Sequence, residues 1–451
     1  MAHITFSKFS SRMSEIYLLT FKRISGSFVL IMGLSFLYGS CTQNTLIENV
    51  PVKTEIRHVN NSFKLFRNGE PYYIKGAGGS SQLAELAHRG GNSIRTWSTH
   101  RAQAVLDSAQ KYGLTVMMGL NVARERHGFD YNDEKAVKKQ LEHLTREVEK
   151  YKDHPALLAW GIGNELNLRY TNKKVWDTVD EIADMIHKID PNHPATTMLA
   201  GIGKDETDYL KENCRNLDFL CIQMYADVIN IRERVKQAGW DSPYAITEWG
   251  ATGHWEVAKT EWSAAIEQTS SERAQVVKER YEKAIKMDTT QCLGSYVFLW
   301  GQKQERTPTW YGLFTEKGEI MESIDVMQYL WTGLWPDNRV PQIFDVLLEG
   351  KTRYDNIRLE PGQAVSLTFR SHDFENDPLT IDAELLREST DLGDGGDYES
   401  RPETLEDLIT ERNQDKVVFK TPNEKGAYRI FVYIRDGHNH AATANVPFFV
   451  D

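Results

Sequence analysis

The chain has 451 residues, a length that allows two or three domains. Hydrophobic residues make up 40% and charged residues 26%, which excludes a polytopic membrane protein and a disordered chain. A formal charge of −11 argues against a nucleic-acid partner, because such a partner needs a basic surface. Composition also divides the chain: all 11 Trp precede residue 336, whereas residues 341–451 carry 12 Lys and Arg against 22 Asp and Glu.

Residues 1–40 are typical of a lipoprotein signal peptide. Basic residues precede an apolar run over 28–38 that is too short to span a bilayer comfortably. Gly and Ser directly before Cys41 resemble a bacterial lipobox, although Tyr38 stands where that pattern prefers Leu. The resemblance implies lipidation of Cys41, with residues 41–54 as a tether, and a periplasmic, outer-membrane or cell-surface location. Cleaved secretion and an uncleaved anchor are the alternatives.

From about residue 55, short apolar runs alternate with longer amphipathic stretches, the pattern of β-α-β units. The predicted strands are Tyr72–Gly76, Ser93–Trp97, Thr115–Gly119, Leu157–Gly161, Ala195–Leu199, Phe219–Met224, Tyr244–Thr247 and Gly294–Trp300. Eight strand–helix units over residues 55–338 predict a (β/α)8 TIM barrel of the α/β class. A doubly wound open sheet is the alternative, but the first strand is followed by no Gly-rich phosphate turn of the required spacing.

Two carboxylates follow predicted strands on opposite sides of this barrel. Glu165 comes after the fourth strand and Glu248 ends the seventh, so both belong to the barrel end where TIM-barrel chemistry takes place. Cleavage of a glycosidic bond needs one carboxylic acid to protonate the leaving oxygen and one carboxylate on the other side of the sugar ring. The pair therefore predicts a glycosidase, and a close spacing would make it a retaining one.

The segments around these carboxylates resemble a known family. Trp160-Gly-Ile-Gly-Asn-Glu165 and Ile246-Thr-Glu-Trp-Gly250 are similar to the acid/base and nucleophile motifs of clan A retaining glycoside hydrolases. The closest resemblance is to the TIM-barrel domain of glycoside hydrolase family 2, over roughly residues 60–335. The β domains that usually precede that barrel have no room after Cys41, so sister families that include glucanases and glucan transglycosylases remain open.

The resemblance implies the roles of individual residues. Glu165 is expected to be the general acid/base and Glu248 the nucleophile, with Asn164 holding the sugar 2-hydroxyl. Arg95 and Tyr225 are expected to hydrogen-bond Glu248. Trp300 is expected to form the floor of the subsite for the cleaved sugar.

Further substrate contacts are predicted from loops after the strands. Trp249 and Trp255 are candidate stacking platforms, and His254 and Asn121 are candidate hydroxyl contacts. The charged residues 124–127 that follow Asn121 either line the cleft or face solvent, and the sequence favours solvent. No His, Cys and Asp cluster has metal-ligand spacing, so neither a metal nor another cofactor is expected.

Residues 339–451 change to a period of two, with turn residues between short runs. This pattern predicts an immunoglobulin- or cadherin-like β-sandwich. Its Asp-rich turn at residues 371–380 offers oxygen ligands for Ca²⁺ from Asp373, Glu375 and Asp377, although a solvated turn is favoured. The acidic stretch Asp391–Thr410 is predicted to be a long loop. Without Trp, the domain is better suited to a spacer or docking role than to stacking on sugars.

Taken together, these features predict an exported retaining β-glycosidase acting on a neutral β-linked oligo- or polysaccharide. A β-glucan transglycosylase using the same site is the close alternative. A catalytically inactive, surface-anchored glycan-binding lipoprotein is the alternative from a different class. The oligomeric state is not predicted.

Overall fold

The computed structural model describes residues 50–451. The predicted signal peptide, the lipidation at Cys41 and most of the predicted tether lie outside the described residues and stay predictions. Within residues 50–451, no helix has both the length and the apolar character that a membrane crossing requires.

A small antiparallel sheet opens the described chain and closes the N-terminal end of the barrel. Its strands are β1 (Thr54–Val59), β2 (Ser62–Arg67) and β3 (Glu70–Tyr72). The Arg67 guanidinium donates to the Pro155 carbonyl at 2.5 Å, and the Phe63 amide donates to the Thr290 carbonyl at 2.7 Å. Both acceptors lie just before barrel strands. The first barrel strand therefore begins at Ile74, two residues later than the sequence predicted.

Eight parallel strands form a closed barrel, which confirms the predicted fold class. They are β4 (Ile74–Gly78), β5 (Ser93–Arg95), β6 (Thr115–Leu120), β7 (Leu157–Ile162), β8 (Ala195–Ala200), β9 (Phe219–Gln223), β10 (Tyr244–Gly250) and β11 (Cys292–Phe298). Each strand pairs with the next, and β11 returns to β4. Every residue of β6, β7 and β10 is buried, because these strands face side chains inside the barrel and helices outside it.

One helix follows each barrel strand. The helices are α1 (Leu83–His88), α2 (Ala102–Lys111), α3 (Glu134–Tyr151), α4 (Lys174–Ile189), α5 (Lys204–Asn213), α6 (Ile231–Gln237), α7 (Ser270–Lys283) and α8 (Glu322–Thr332). Local sequence sets several of their starts. The Asp133 side chain accepts the Lys135 and Ala136 amides at the start of α3, and Thr269 with Glu272 forms a capping box on α7.

Two four-stranded sheets form the C-terminal β-sandwich, as predicted. Their strands are β12 (Gln342–Leu348), β13 (Arg358–Leu359), β14 (Ala364–His372), β15 (Thr380–Arg387), β16 (Ile409–Arg412), β17 (Lys416–Lys420), β18 (Gly426–Arg435) and β19 (Ala441–Val450). The order is β12-β14-β17-β16 in one sheet and β13-β19-β18-β15 in the other. Alternate residues such as Val365, Leu367 and Phe369 are buried between the sheets.

Buried polar contacts join the sandwich to the barrel. Arg429 of β18 is 2% exposed and donates to the Ala265 carbonyl, in the long segment after β10, at 2.7 Å. The same guanidinium binds Asn445 and pairs with Glu388. Because a buried guanidinium needs partners for its donors, this contact holds the two regions in a fixed arrangement.

The Asp-rich turn lies against the connection between barrel and sandwich. Asp373 is 6% exposed, and its Oδ1 accepts the amides of Glu375 at 3.1 Å and Asp377 at 2.7 Å. The Asn338 side chain donates to the Asp377 carboxylate at 2.6 Å. The turn is therefore part of an interface, and the solvated turn that the sequence favoured is corrected for Asp373.

Candidate active site

The candidate site lies at the carboxyl end of the barrel strands. Arg95 ends β5, Glu165 follows β7, Tyr225 follows β9, and Glu248 lies near the end of β10. Parallel strands of a closed barrel all end on the same side, so the fold brings these distant residues into one cavity.

Glu248 is held by three hydrogen-bond donors. Its Oε1 accepts from Arg95 Nη1 at 2.8 Å and from Trp97 Nε1 at 2.9 Å, and its Oε2 accepts from the Tyr225 hydroxyl at 3.0 Å. Arg95 is completely buried and Glu248 is 6% exposed. Burial and the charge of Glu248 raise the pKa of Tyr225 well above its usual value, so the hydroxyl stays a donor. The arrangement compensates the negative charge of Glu248 and fixes the direction of its carboxylate.

Asn164 is oriented by two donors on the same oxygen. Its Oδ1 accepts from Arg95 Nη2 at 2.6 Å and from Gln223 Nε2 at 2.7 Å. With Oδ1 occupied in this way, the amide nitrogen of Asn164 is the atom that it can offer to a ligand. Arg95 thus binds both Asn164 and Glu248, which couples the positions of the two side chains.

Glu165 has a different environment from Glu248. Its backbone lies in the left-handed region at φ 51°, and its amide donates to the Met198 carbonyl at 3.0 Å. Burial, and then the charge of Glu248, raise the pKa of Glu165 to about 8, against the opposing effect of Arg95 and Arg124. Glu165 is therefore a proton donor at neutral pH, next to a charged carboxylate.

Both carboxylates line one cavity of about 310 Å³. Its lining residues are Trp97, Arg124, Asn164, Glu165, Tyr225, Glu248, Trp255, Phe298, Leu299, Lys303, Glu305, Gly395, Gly396 and Asp397. Phe298 packs edge-on against the rings of Trp97, Tyr225 and Tyr311, at centroid distances of 5.8–6.2 Å. The site therefore combines aromatic surface with a paired acid and carboxylate, which is the composition of a sugar-cleaving site.

A comparison with known families gives the same result. The model of the family described as "Glycosyl hydrolases family 2, TIM barrel domain" matches residues 81–309, which is half of the chain. The chain belongs to glycoside hydrolase family 2.

Individual relatives are more distant. Mannan endo-1,4-beta-mannosidase F of Aspergillus clavatus is 27% identical over 118 residues, which are 23% of this chain and 27% of that protein. The β-D-glucuronidase structure for Dictyoglomus thermophilum is 18% identical with a TM-score of 0.48, over 63% of this chain and 54% of that chain. A putative β-galactosidase from Bacteroides fragilis is 16% identical with a TM-score of 0.48, over 88% and 57%. The family 2 protein thus spans about half the length of these solved structures.

Two of the tryptophans predicted for the substrate lie in the core of this family 2 barrel. Trp249 and Trp300 are completely buried. Trp249 packs near Tyr281 of α7, and Trp300 packs against Phe314 and Trp331. Trp249 follows the inward-facing Glu248 and so faces outward, since side chains alternate along a strand. Neither residue lines the cavity, so these two predictions are corrected.

Phe298, and not Trp300, is the aromatic residue at the end of β11 that lines the cavity. The strand β11 ends at Phe298, whereas the sequence placed its end at Trp300. With the chain turning after Phe298, the Phe298 ring faces the cavity and Trp300 lies in the layer between barrel and helices. Because the sequence analysis placed the end of β11 two residues too late, it chose Trp300 as the cavity aromatic instead of Phe298.

The remaining predictions for the substrate site have different outcomes. Trp255 is 56% exposed and lines the cavity, as a stacking platform requires. His254 is buried between Trp255 and Tyr311, with its amide donating to the Tyr311 hydroxyl, and it lines a second, adjoining cavity but not this one. Asn121 is exposed and is not among the lining residues, so the structure does not bring it to the site.

Several site residues were missed by the sequence analysis. Trp97, two residues beyond β5, donates to Glu248 at 2.9 Å; the sequence placed Trp97 at a strand end around the cleft but predicted no contact with Glu248. Lys303 and Glu305, after β11, line the cavity and form an ion pair at 2.6 Å. Residues 395–397 reach the cavity from the C-terminal sandwich, and no local sequence pattern pointed to them.

Of the charged residues after β6, Arg124 lines the cleft, Glu125 and Arg126 bind other segments of the chain, and His127 is exposed. Arg124 lines the cavity and donates to the Asn164 carbonyl at 3.1 Å. Arg126 donates to the Asp397 carboxylate at 2.7 and 3.2 Å, and the Glu125 carboxylate accepts from Thr171. The sequence favoured solvent because their partners lie far away along the chain.

Proposed function

We propose that this protein is an exported retaining β-glycosidase that hydrolyses a neutral β-linked glycan. The observation that carries the proposal is the contrast between its two carboxylates. Glu248 is paired with a buried guanidinium and aimed by three donors, whereas Glu165 has a raised pKa and retains its proton. One carboxylate is suited to attack, and the other to give a proton.

The two residues act in succession. Glu165 protonates the glycosidic oxygen while Glu248 attacks the anomeric carbon, which breaks the bond to the leaving group and forms a glycosyl ester. Esterification removes the charge of Glu248, which had raised the pKa of Glu165. The Glu165 pKa then falls, so that it accepts a proton from water as the water attacks the ester. Two displacements at the same carbon retain its configuration.

A neutral substrate agrees with the charges of the cavity. Lys303 is paired with Glu305 at 2.6 Å, and its Nζ also donates to the Gly396 carbonyl at 3.3 Å. Arg126 is paired with Asp397. Lys303 and Arg126 are thus matched by carboxylates and offer little to an acidic sugar, whereas Arg124, which also lines the cavity, donates to the Asn164 carbonyl. The mannosidase relative named above acts on mannan by its name, and it is one source for the choice of test substrates.

The test is a screen of β-linked oligosaccharides with NMR of the initial product. We expect release of a sugar with the β-configuration retained at its anomeric carbon. Release of the α-anomer first would contradict the double-displacement mechanism, and faster turnover of β-glucuronides than of β-glucosides would contradict a neutral substrate. Longer products than the starting glycan would indicate transglycosylation.

Export is proposed on the sequence of the first 41 residues. An apolar run followed by Gly-Ser-Cys41 supports a lipid-anchored form. Expression in a Gram-negative bacterium should place the wild-type chain in the membrane fraction, and Cys41→Ala should release it or leave it unprocessed. A wild-type chain that stays in the cytoplasm would contradict export.

A further inference from the structure

A second cavity of about 440 Å³ adjoins the first on the side of Glu165. The two cavities share Glu165, Tyr225, Trp255 and Gly395, whereas Glu248 lines only the first. The second is lined in addition by polar side chains, including Arg169, Gln223, Asp227 and Asp394. The acid/base residue thus stands between a space that contains the nucleophile and a space that does not.

Part of both cavities is built by the sandwich domain, through residues Gly393–Glu399, called here the wall segment. Four basic side chains of the barrel hold it. Arg126 pairs with Asp397 at 2.7 Å and Arg169 with Asp394 at 2.7 Å. Lys303 donates to the Gly396 carbonyl at 3.3 Å, and Arg306 donates to the Gly393 carbonyl at 3.0 Å.

The wall segment lies directly against the acid/base residue. Gly395 has φ +56°, and a Cβ added there would lie 3.3 Å from Glu165 Oε2 and 2.7 Å from Leu168 Cδ2. Glycine is therefore required for two reasons, the left-handed backbone and the close approach to the barrel. The acidic stretch that the sequence predicted as a loop is a component of the active site.

We propose that the second cavity is the subsite for the leaving-group sugar, and that the wall segment completes it. The inference rests on the proposed glycosidase function. A general acid stands beside the oxygen that it protonates, so the leaving group lies on the Glu165 side of the scissile bond, away from Glu248. The exposed Trp255 ring offers an apolar face to a sugar, and Asp394, Arg169 and Asp227 offer partners for neutral hydroxyls.

The test compares two substrates with the same sugar in the first cavity, namely a β-linked disaccharide and the methyl β-glycoside. In both substrates the leaving group departs as an alcohol and needs a proton from Glu165. Only the leaving group of the disaccharide is large enough to fill the second cavity. We expect wild-type kcat/KM to be at least about tenfold higher for the disaccharide, which corresponds to about 1.4 kcal/mol. Equal values would overturn the inference and leave the glycosidase function intact, whereas turnover of neither substrate would overturn the glycosidase function itself.

Gly395→Ala tests the wall segment, with Gly437→Ala as the matched control. Both glycines have positive φ, +56° and +83°, but a Cβ at Gly437 would meet nothing within 4 Å. We expect Gly395→Ala to lower the disaccharide-to-methyl ratio of kcat/KM at least fivefold and Gly437→Ala to keep it within twofold. An equal fall for both substrates in Gly395→Ala would mean that the segment acts only on Glu165, and would overturn the inference.

Asp394→Ala gives a second readout at a residue that lines only the second cavity. Its control is Glu424→Ala, which removes an exposed carboxylate paired with Arg387 in the same domain. We expect Asp394→Ala to raise KM for the disaccharide and lower the ratio about threefold to tenfold, with the Glu424→Ala ratio unchanged. A wild-type ratio in Asp394→Ala would overturn the assignment. Melting curves of all four variants establish that they are folded.

Discussion

The two sides of the active site are built in opposite ways. The side around Glu248 comes from the ends of barrel strands, where the carboxylate and Arg95 are buried and held by neutral and charged donors at 2.8–3.0 Å. The side around Gly395 comes from a loop of the sandwich, held by an ion pair to the nearly buried Arg126 and by a second, exposed ion pair to Arg169. Strand ends position the reacting groups, whereas the loop determines what lies beside them.

The largest effect is expected at the strand side. Glu248→Gln keeps the shape of the side chain but removes the nucleophilic charge, so kcat should fall on the order of 10⁴-fold or more. The measurement is hydrolysis of the best β-linked substrate, with circular dichroism to show that the variant is folded. The control is Glu142→Gln, on the exposed surface of α3, which should retain wild-type kcat. Undiminished turnover by Glu248→Gln would contradict its assignment as the nucleophile.

The second-largest loss of activity is expected on substitution of Glu165, which lies between the two sides of the site. Glu165→Ala should lower kcat/KM about 10²–10⁴-fold for a disaccharide, because general acid catalysis contributes that much to departure of an alcohol. A 2,4-dinitrophenyl β-glycoside, whose leaving group departs without a proton, should lose far less in its first step. An equal loss with both substrates would show that Glu165 does not serve as the acid.

The pH dependence follows from the environment of the same residue. Glu165 must carry its proton in the free enzyme, and burial with the Glu248 charge raises its pKa to about 8. For the disaccharide, kcat/KM should therefore hold through neutral pH and fall as pH rises above about 8, by about tenfold per further unit. The profile for the dinitrophenyl substrate should be flatter there. A basic limb at the usual glutamate pKa would contradict the raised value.

The barrel and its carboxylates were predictable because their signals are local. Eight apolar runs separated by amphipathic stretches indicated the strands, and Asn164-Glu165 and Glu248 stood at the ends of two of them. The aromatic residue that lines the cavity after β11 was not predictable in the same way, since the choice between Trp300 and Phe298 depends on the exact residue at which β11 ends. The position of the wall segment could not be predicted at all, because Arg126 and Asp397 are 271 positions apart and no local sequence pattern indicates that they pair.

A smaller effect is expected for the exposed aromatic that both cavities share. Trp255→Ala should lower kcat/KM by about tenfold, or about 1.4 kcal/mol, through loss of a stacking surface, with little change in the melting temperature because the ring is 56% exposed. Trp300→Phe is the matched control in the core, and it should lower the melting temperature and leave KM unchanged. The reverse outcome would restore Trp300 as the substrate platform.

The smallest expected effect tests how firmly the loop side is held. Glu399 is buried at the base of the wall segment, where its carboxylate accepts from Arg306 and from the Gly393 amide at 2.9 Å. Glu399→Gln removes the charge and weakens these bonds by about 1–3 kcal/mol, which is enough to open the segment locally without unfolding the sandwich core. We expect faster limited proteolysis within residues 391–400 and an unchanged melting temperature. Bound disaccharide should slow that cleavage in the wild type, because a ligand in the second cavity packs against the same residues. If the disaccharide gives no protection, the wall segment does not contact the substrate.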